Sequence, residues 1–392
     1  MKICVYTICK NEIKNLEDWL NSIERADYIV LLDTGSTDGT WEAIQNNPRI
    51  ISSQKIYKDF RFDTARTDAF RLCPHDTDVC INIDLDERIS KNWREEIEKN
   101  YKGYPMRCPY INDTSPSIIG SKIIAHPYYS DIIWKGEIFE EPFYFDGNFY
   151  RSYWSFMALP TQTLVSSVLV KHYKDEHKDR AFYDDKIKQK IENSFKKIRT
   201  ENLKYEELMQ EMLFLVECLN SFASSYNYYM REAIGKLAEK HLQTTGSTWV
   251  SDRLDNLDKC FLQIMQIYHK LTGDMEEAVN YTECLYKNLL GSNKSVYDQI
   301  LLRDGVDIFI ATGQVKKAYE IVVDNVYNTL EIKTEGDLFC LQLALNTAEH
   351  FCNDLHSPFL FPAIRSKVSK EVKNLFDTGS FKPFKLSRPK KV

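Results

Sequence analysis

The chain has 392 residues, and 51 Lys and Arg against 57 Asp and Glu give a net charge of −6. That length predicts two or three domains, and the mildly acidic balance argues against a protein that coats nucleic acid or anionic lipid. No apolar run reaches the roughly 18 residues of a membrane span, and the N-terminal residues turn polar too early for a signal peptide. The ten cysteines form no CxxC pair, so we expect reduced thiols in a cytoplasmic protein.

The proline distribution divides the chain into two parts. Of the twelve prolines, none lies between Pro160 and Pro358, where average usage of about 5% would place about ten. Because proline breaks helix interiors, this gap predicts many consecutive helices. We therefore expect a boundary near residues 175–185, with an α/β domain over 1–180 and a helical domain over 181–392.

In chain order, the first half alternates short apolar segments with amphipathic ones. The helix after the second strand is expected to be capped by Thr37 or Asp38. Continuous apolar strands with helices between them predict a parallel sheet covered on both faces, with its ligand beyond the carboxyl ends of the strands. The predicted strands are 3–8, 28–32, 50–57 and 79–83, and the predicted helices are 15–23, one through Trp41 and Ile44, and 62–72.

Polar residues cluster where these strands end, at 7–12, 33–38 and 84–87. Asp84 and Asp86 are two residues apart, so their carboxylates point the same way and need a cation or hydrogen-bond donors for compensation. Hard oxygen ligands suit Mg²⁺ or Mn²⁺, although a solvated turn is the alternative reading. Asp33 closes the second strand, where its carboxylate can accept hydrogen bonds from a nucleobase imide. A plain strand-to-helix turn would explain the glycines that follow, but not Asp33.

The second half of the sequence is predicted to consist of consecutive helices. Two turns, at 272–274 and 312–314, occupy equivalent places about 40 residues apart. This spacing predicts a degenerate helical-hairpin repeat related to tetratricopeptide arrays, with an irregular bundle as the alternative. The helices predicted from apolar residues at i, i+3, i+4 spacing are 208–222, 229–242, 254–271, 275–290, 296–311, 315–330 and 338–351.

Four segments, at 7–12, 33–40, 60–66 and 83–87, together resemble the motifs of family 2 glycosyltransferases. The resemblance covers roughly residues 1–175. It implies a GT-A nucleotide-sugar-binding domain, a mixed and mostly parallel sheet flanked by helices, followed by an all-α, tetratricopeptide-like domain. Within the family, the chain resembles the branch that includes bacterial peptide glycosyltransferases, among them cysteine S-glycosyltransferases of bacteriocins.

The resemblance implies roles on the donor side of the site. Asp33 would hold the uracil of a UDP-sugar, and Thr7 and Glu12 would line the nucleoside pocket. Arg66 would approach the nucleotide, unless it is simply a surface arginine of a helix. Asp84 would contact the ribose or the donor sugar.

The resemblance also implies a metal site and a general base. Asp86 would bind Mg²⁺ or Mn²⁺, and His172 matches the place where the family often supplies a histidine, although a structural histidine is the alternative. Related enzymes often place a His-Glu pair where this chain has Phe139 and Glu140. Glu140 keeps the carboxylate position and is the first choice of base, with Glu137 second, although such a charge run is often a solvated loop.

These expectations combine into an inverting, metal-dependent hexosyl- or N-acetylhexosaminyltransferase that moves a sugar from a UDP-sugar to a Cys, Ser or Thr side chain of a peptide or protein. The long helical half favours a peptide acceptor, because helical arrays offer extended concave surfaces. A polysaccharide or glycolipid acceptor is the first alternative. A nucleotidyltransferase and a catalytically dead nucleotide-sugar-binding adaptor are alternatives of other classes, and a homodimer is compatible with the sequence.

Overall fold

The computed structural model describes residues 1–103, 105–112, 118–128, 132–135, 141–145, 150–152, 163–164, 167–173, 180–219, 227–245, 256–289, 296–328 and 330–387. Its strands are β1 (Ile3–Cys9), β2 (Tyr28–Asp33), β3 (Ile50–Gln54), β4 (Val79–Asn82), β5 (Glu87–Ile89), β6 (Met106–Asn112), β7 (Ile118–Pro127), β8 (Ile133–Lys135), β9 (Glu141–Phe145), β10 (Tyr150–Ser152), β11 (Thr163–Leu164), β12 (Val170–His172), β13 (Glu331–Ile332) and β14 (Phe384–Lys385). Its helices are α1 (Ile13–Ser22), α2 (Thr40–Gln45), α3 (Phe62–Phe70), α4 (Trp93–Asn100), α5 (Arg180–Thr200), α6 (Tyr205–Leu219), α7 (Asn227–Thr245), α8 (Asn256–Thr272), α9 (Met275–Leu289), α10 (Val296–Ala311), α11 (Val315–Tyr327), α12 (Glu335–Asp354) and α13 (Pro362–Thr378).

The N-terminal half is built on one mixed sheet in the order β3-β2-β1-β4-β7-β6-β12-β5, with β11 paired to β6. The first four strands of this order are parallel, as predicted. Antiparallel pairings then place β7 between β4 and β6, and β5 beside β12. The mixed, mostly parallel sheet with flanking helices confirms the predicted fold class.

Both faces of the sheet are covered by apolar packing, because successive side chains of its strands point to opposite sides. One face packs around Trp19 of α1 and Trp93 of α4. The other packs around Tyr6 of β1 and Phe70 of α3. Buried on both faces, these strands can be continuously apolar, which is why the sequence pattern located them.

Some predicted boundaries and one predicted cap differ from the structure. β3 ends at Gln54 rather than at residue 57. α2 begins after its N-cap residue Gly39, whose φ of 97° lies in the left-handed region that favours glycine. The N-cap position is therefore occupied by Gly39 and not by the predicted Thr37 or Asp38. Asp38 instead accepts a hydrogen bond from the Thr40 backbone N–H at 3.0 Å, inside the first turn.

The second half is helical, as predicted, and two helical hairpins repeat the same turn. After α8, the Asp274 N–H bonds to the His269 carbonyl at 2.9 Å, and after α10 the Gln314 N–H bonds to the Phe309 carbonyl at 2.7 Å. The glycines at the two equivalent positions, Gly273 and Gly313, have φ of 82° and 74°. Both turns are therefore Schellman motifs, in which a left-handed glycine ends the helix and the next helix starts at once.

One apolar core runs through the helical half and reaches the sheet. It joins side chains of α5 to α13 with Ile111 of β6 and Leu169 next to β12. The last helix also meets the sheet region directly, because the Lys171 ammonium of β12 lies 5.9 Å from the Phe376 ring centroid of α13. None of the helices in the described ranges is both long enough and apolar enough to cross a bilayer.

Candidate active site

Side chains from three strand ends meet at the carboxyl edge of the sheet. Thr7 of β1 pairs in register with Leu31 of β2, and Tyr6 pairs with Asn82 of β4, so the residues that follow these strands share one edge. The Thr7 hydroxyl donates to Asp84 Oδ1 at 3.0 Å. The structure thus brings together the polar clusters that the sequence placed at strand ends.

The loops after β1 and β2 are held together by hydrogen bonds. Asn11 has a positive φ of 57°, its N–H donates to Ser36 Oγ at 2.8 Å, and its Oδ1 accepts from the Thr37 N–H at 2.7 Å. The Glu12 N–H donates to Thr40 Oγ1 at 2.9 Å, and Glu12 Oε2 accepts from a side-chain amide of α1 at 2.7 Å. Glu12 therefore sits at the junction of the two loops, and its role in lining a nucleoside pocket stays a prediction.

Asp33 is buried at the end of β2 and organises the loop that follows it. Its Oδ1 accepts from the N–H groups of Gly35 and Ser36 at 2.9 and 3.0 Å and from Gln54 Nε2 at 2.9 Å. Its Oδ2 accepts from the Ser36 hydroxyl. Burial alone would raise the pKa of Asp33, but the hydrogen bonds from Ser36, Gln54 and Gly35 hold it below its usual range. Asp33 is thus a charged, well-anchored carboxylate, and its role toward a nucleobase stays a prediction.

Arg66 is not a surface arginine, because α3 turns it inward onto Asp84. Its two terminal nitrogens donate to Asp84 Oδ1 and Oδ2 at 2.8 and 3.1 Å, a bidentate pair, and one of them also reaches Asn82 Oδ1 at 3.0 Å. The Arg66 side chain is only 8% exposed, whereas that of Asp84 is 31% exposed. Burial would raise the pKa of Asp84, but the charge of Arg66 keeps it far below its usual range. Asp84 is therefore ionised at neutral pH, and its side chain is still partly exposed to solvent.

A buried hydrogen-bond chain supports the guanidinium of Arg66. Its carbon lies 5.5 Å from the Trp134 ring centroid, and the Trp134 indole N–H donates to the Tyr6 hydroxyl at 2.8 Å. The Tyr6 oxygen lies 2.8 Å from His126 Nε2, and His126 Nδ1 lies 2.9 Å from the Pro127 carbonyl. A carbonyl only accepts, so the proton of His126 is on Nδ1 and Nε2 accepts from Tyr6. Burial lowers the pKa of His126 to about 4, so this chain is neutral at pH 7.

Asp86 and His172 form the part of the site suited to a divalent cation. His172 Nε2 lies 3.3 Å from Asp86 Oδ2, and the Asp86 side chain is 4% exposed against 31% for His172. Two ligand atoms about 2.1 Å from one ion in octahedral geometry are about 3 Å apart, so this separation fits a shared cation. One carboxylate oxygen and one imidazole nitrogen suit Mn²⁺ as well as Mg²⁺. Asp86 and His172 would hold the ion, and a donor diphosphate would supply further oxygens.

Three residues behind the Asp86–His172 pair were not identified from the sequence as candidate site residues. Lys122 of β7 donates to both carboxylate oxygens of Glu87 at 2.6 and 2.7 Å. Burial alone would lower the pKa of Lys122, but the carboxylates of Glu87 and Asp84 raise it, so the ammonium stays charged. Tyr110 of β6 packs beside both His172 and Lys122. The adjacency of Glu87 to Asp86 was visible in the sequence, but Lys122 and Tyr110 carried no motif.

The two base candidates, Glu137 and Glu140, lie outside the described residues, so their role stays a prediction. The segment before them is described, and Trp134 in it is a buried neighbour of Arg66. The Trp134 backbone N–H donates to Thr67 Oγ1 at 2.8 Å, which attaches this segment to α3. The chain thus enters the candidate segment next to the Arg66–Asp84 pair.

The sheet is mostly parallel and has charged carboxylates at its carboxyl edge, one beside an arginine and one beside a histidine. This arrangement is typical of the α/β class, in which ligands bind beyond the carboxyl ends of the strands. Within that class, residues 4–173 match the family model described as Glycosyl transferase family 2. The N-terminal region is therefore a family 2 glycosyltransferase domain, and this part of the sequence resemblance is confirmed.

Two curated relatives are similar to part of this domain. One is the lipopolysaccharide core biosynthesis glycosyltransferase LpsC of Rhizobium meliloti (strain 1021), 31% identical over 131 residues, which are 33% of this chain and 43% of that protein. The other is an uncharacterized glycosyltransferase of Rickettsia bellii (strain RML369-C), 29% identical over 129 residues, which are 30% of this chain and 42% of that protein. The chain spans less than half the length of these relatives.

Among solved structures, the chain is similar to S. aureus TarS 1–349 in complex with UDP-GlcNAc. The TM-score is 0.41 and the sequence identity 14%, and the match covers 72% of this chain and 90% of that one. A structure of the same protein in complex with UDP gives a TM-score of 0.37 at 13% identity, covering 76% of this chain and 93% of that one.

Proposed function

We propose that this protein is an inverting, metal-dependent glycosyltransferase that transfers a hexose or N-acetylhexosamine from a UDP-sugar. The observation that carries the proposal is the pairing of Asp86 with His172 at 3.3 Å, beside an Asp84 that Arg66 keeps ionised, within a family 2 domain. A site built only for stability would not leave Asp84 and His172 each 31% exposed at the carboxyl edge of the sheet.

The residues divide the chemistry between them. Arg66 fixes Asp84, so this carboxylate is oriented before a ribose or donor sugar arrives and no reorganisation is needed on binding. A divalent ion bound by Asp86 and His172 would stabilise the negative charge of the departing UDP. Glu140, carried over from the family resemblance, would remove the acceptor proton while the acceptor attacks the opposite face of the anomeric carbon. Asp33 and the joined loops beside it would take the uracil.

The donor reaction is the first test. The protein is incubated with Mn²⁺ and a panel of UDP-, GDP- and CMP-sugars, and released nucleotide is measured. The proposal predicts UDP release that requires the metal. Pyrophosphate release from UTP and a sugar phosphate would instead indicate a nucleotidyltransferase, and UDP-sugar binding without turnover across the acceptor panel below would indicate a non-catalytic adaptor.

The acceptor has two candidates, each favoured by a specific observation. The described helices from residue 180 onward, with two equivalent hairpins, favour a peptide or protein side chain, because such arrays bind extended segments. Tyr229 of α7 is exposed and offers an aromatic side chain to such a surface. The name of the Rhizobium relative favours a cell-envelope glycan instead.

One panel separates the two acceptors. The protein and its UDP-sugar are incubated with Cys-, Ser- and Thr-containing peptides and, in parallel, with lipopolysaccharide core oligosaccharides, and the products are analysed by mass spectrometry. A hexose or N-acetylhexosamine added to a peptide supports the first candidate. Modification of the oligosaccharides alone would reject the peptide and leave the glycan.

A further inference from the structure

A buried charged cluster lies directly behind the aspartate turn. Glu87 follows Asp86 in sequence and is 3% exposed. The Lys122 ammonium donates to both of its oxygens at 2.6 and 2.7 Å, and Glu87 Oε2 also accepts from the Asp84 backbone N–H at 2.9 Å. The side chain of Glu87 therefore bonds back to the start of its own turn, and Lys122 is its ion-pair partner where little solvent reaches it.

The same cluster also reaches the histidine of the site through an aromatic ring. The Lys122 nitrogen, which is paired with Glu87, lies 5.7 Å from the Tyr110 ring centroid. The Tyr110 ring also stacks on the His172 imidazole, with centroids 5.7 Å apart and planes 27° apart. One tyrosine thus links the charged pair to the imidazole.

The strand order explains why these contacts occur together. β12 lies between β6 and β5, and His172 is the register partner of Glu87 across the antiparallel β12–β5 pair. Lys122 comes from β7 on the far side of β6. Four strands therefore contribute one residue each, and the cluster contacts both the turn that carries Asp86 and the ring of His172.

Stability alone is a weak reason for such a cluster. A buried ion pair often stabilises a fold no more than apolar residues of similar volume would, because desolvation of both charges offsets their attraction. A cluster that holds two metal ligands in place would instead serve metal binding, because neighbouring groups that orient the ligands control metal affinity. The contacts of Glu87 and Tyr110 lead to those two ligands and to the turn between Asp84 and Asp86.

We propose that Glu87, Lys122 and Tyr110 act as positioning residues that hold the Asp84–Asp86 turn and the His172 ring in the arrangement needed to bind one divalent cation. The inference rests on the proposed function, because it assumes that Asp86 and His172 are the metal ligands. None of the three residues touches the substrate in this role, so their substitution acts through metal binding.

The test measures Mn²⁺ binding directly. Free Mn²⁺ is followed by electron paramagnetic resonance while it is titrated into the full chain with saturating UDP, and metal-free UDP affinity is measured separately by calorimetry. Lys122→Met and Tyr110→Leu are expected to weaken Mn²⁺ binding by about 10- to 100-fold, the usual effect of losing a group that orients a ligand. Tyr110→Phe keeps the aromatic ring stacked on His172, so its Mn²⁺ affinity is expected to fall less than that of Tyr110→Leu. UDP affinity without metal should change less than twofold in all three.

Controls separate this inference from the proposed function. Lys55→Met removes a lysine from an exposed ion pair with Asp68 and should bind Mn²⁺ as the wild type does. If Lys122→Met does not fold, as judged by circular dichroism, Tyr110→Leu decides the question. A wild type that binds Mn²⁺ together with folded variants that bind it equally well would overturn the inference alone. A wild type that binds no Mn²⁺ would overturn the metal dependence and the inference together.

Discussion

The Arg66–Asp84 pair allows the most quantitative prediction. In Arg66→Met, the Asp84 carboxylate loses a bidentate partner at 2.8 and 3.1 Å, and the side chain of Asn82 loses a donor at 3.0 Å. Breaking a buried pair by removing one partner costs about 3–5 kcal/mol. Because the Asp84 side chain is 31% exposed, we expect the lower end, about 3 kcal/mol of unfolding free energy.

Urea denaturation at pH 7 measures this loss, provided that the transition is two-state. Arg66→Lys keeps one charged donor, so its loss of unfolding free energy should be about half that of Arg66→Met. Arg25→Met is the matched control, because its ion pair with Glu95 is exposed and should contribute under about 1 kcal/mol. The lowered pKa of Asp84 also fixes the pH dependence of this stabilisation. The pair stabilises the fold above the unfolded pKa of about 3.9, and the stabilisation is lost as pH falls through the folded pKa. Equal losses in Arg66→Met and Arg25→Met at pH 7 would refute the reasoning.

Three further predictions concern other residues. Asp33→Ala should weaken UDP binding by about 1–3 kcal/mol in calorimetry, because the loop loses its charged acceptor, and equal affinity would reject that role. Glu140→Gln should lower kcat by about 10²–10⁴-fold with little change in UDP-sugar affinity, and the same loss in Glu137→Gln instead would shift the assignment of the base. His350 Nε2 lies 2.9 Å from Asp307 Oδ1, and this carboxylate raises the pKa of His350. The stability difference between wild type and His350→Gln should therefore be full below the unfolded pKa of about 6.5 and shrink as pH rises through the folded value, and a difference that is constant from pH 5.5 to 9 would contradict this.

The sequence predicted the elements whose signal is local. The first four strands and the meeting of Thr7 with Asp84 followed from apolar runs that end in polar residues, because parallel strands end at one edge. Helices α5 and α13 were not predicted, although both have apolar residues at helical spacing. Buried apolar residues of α13 lie at 364, 368, 372 and 375, with spacings of four, four and three.

The part of the site that sequence reasoning missed depends on long-range pairing. Lys122 meets Glu87 only because β7 is inserted antiparallel between β4 and β6 and β5 returns beside β12. No local pattern encodes that order. Arg66 shows a related limit, since its position on α3 was clear but its inward direction was fixed by packing against Trp134. The peptide acceptor rested on the helical half alone and stays a proposal.

The metal dependence of UDP release by Asp86→Ala is the most direct test of whether Asp86 binds the metal that the reaction needs. The wild type and the variant are titrated with Mn²⁺ in the presence of UDP-sugar, with and without EDTA, and Asp185→Ala, whose side chain is 83% exposed, serves as the control. If Asp86 binds the metal, the wild type and the control release UDP in a metal-dependent way, and Asp86→Ala loses that release with its fold intact by circular dichroism. Full activity in Asp86→Ala, or undiminished wild-type turnover in EDTA, would contradict it.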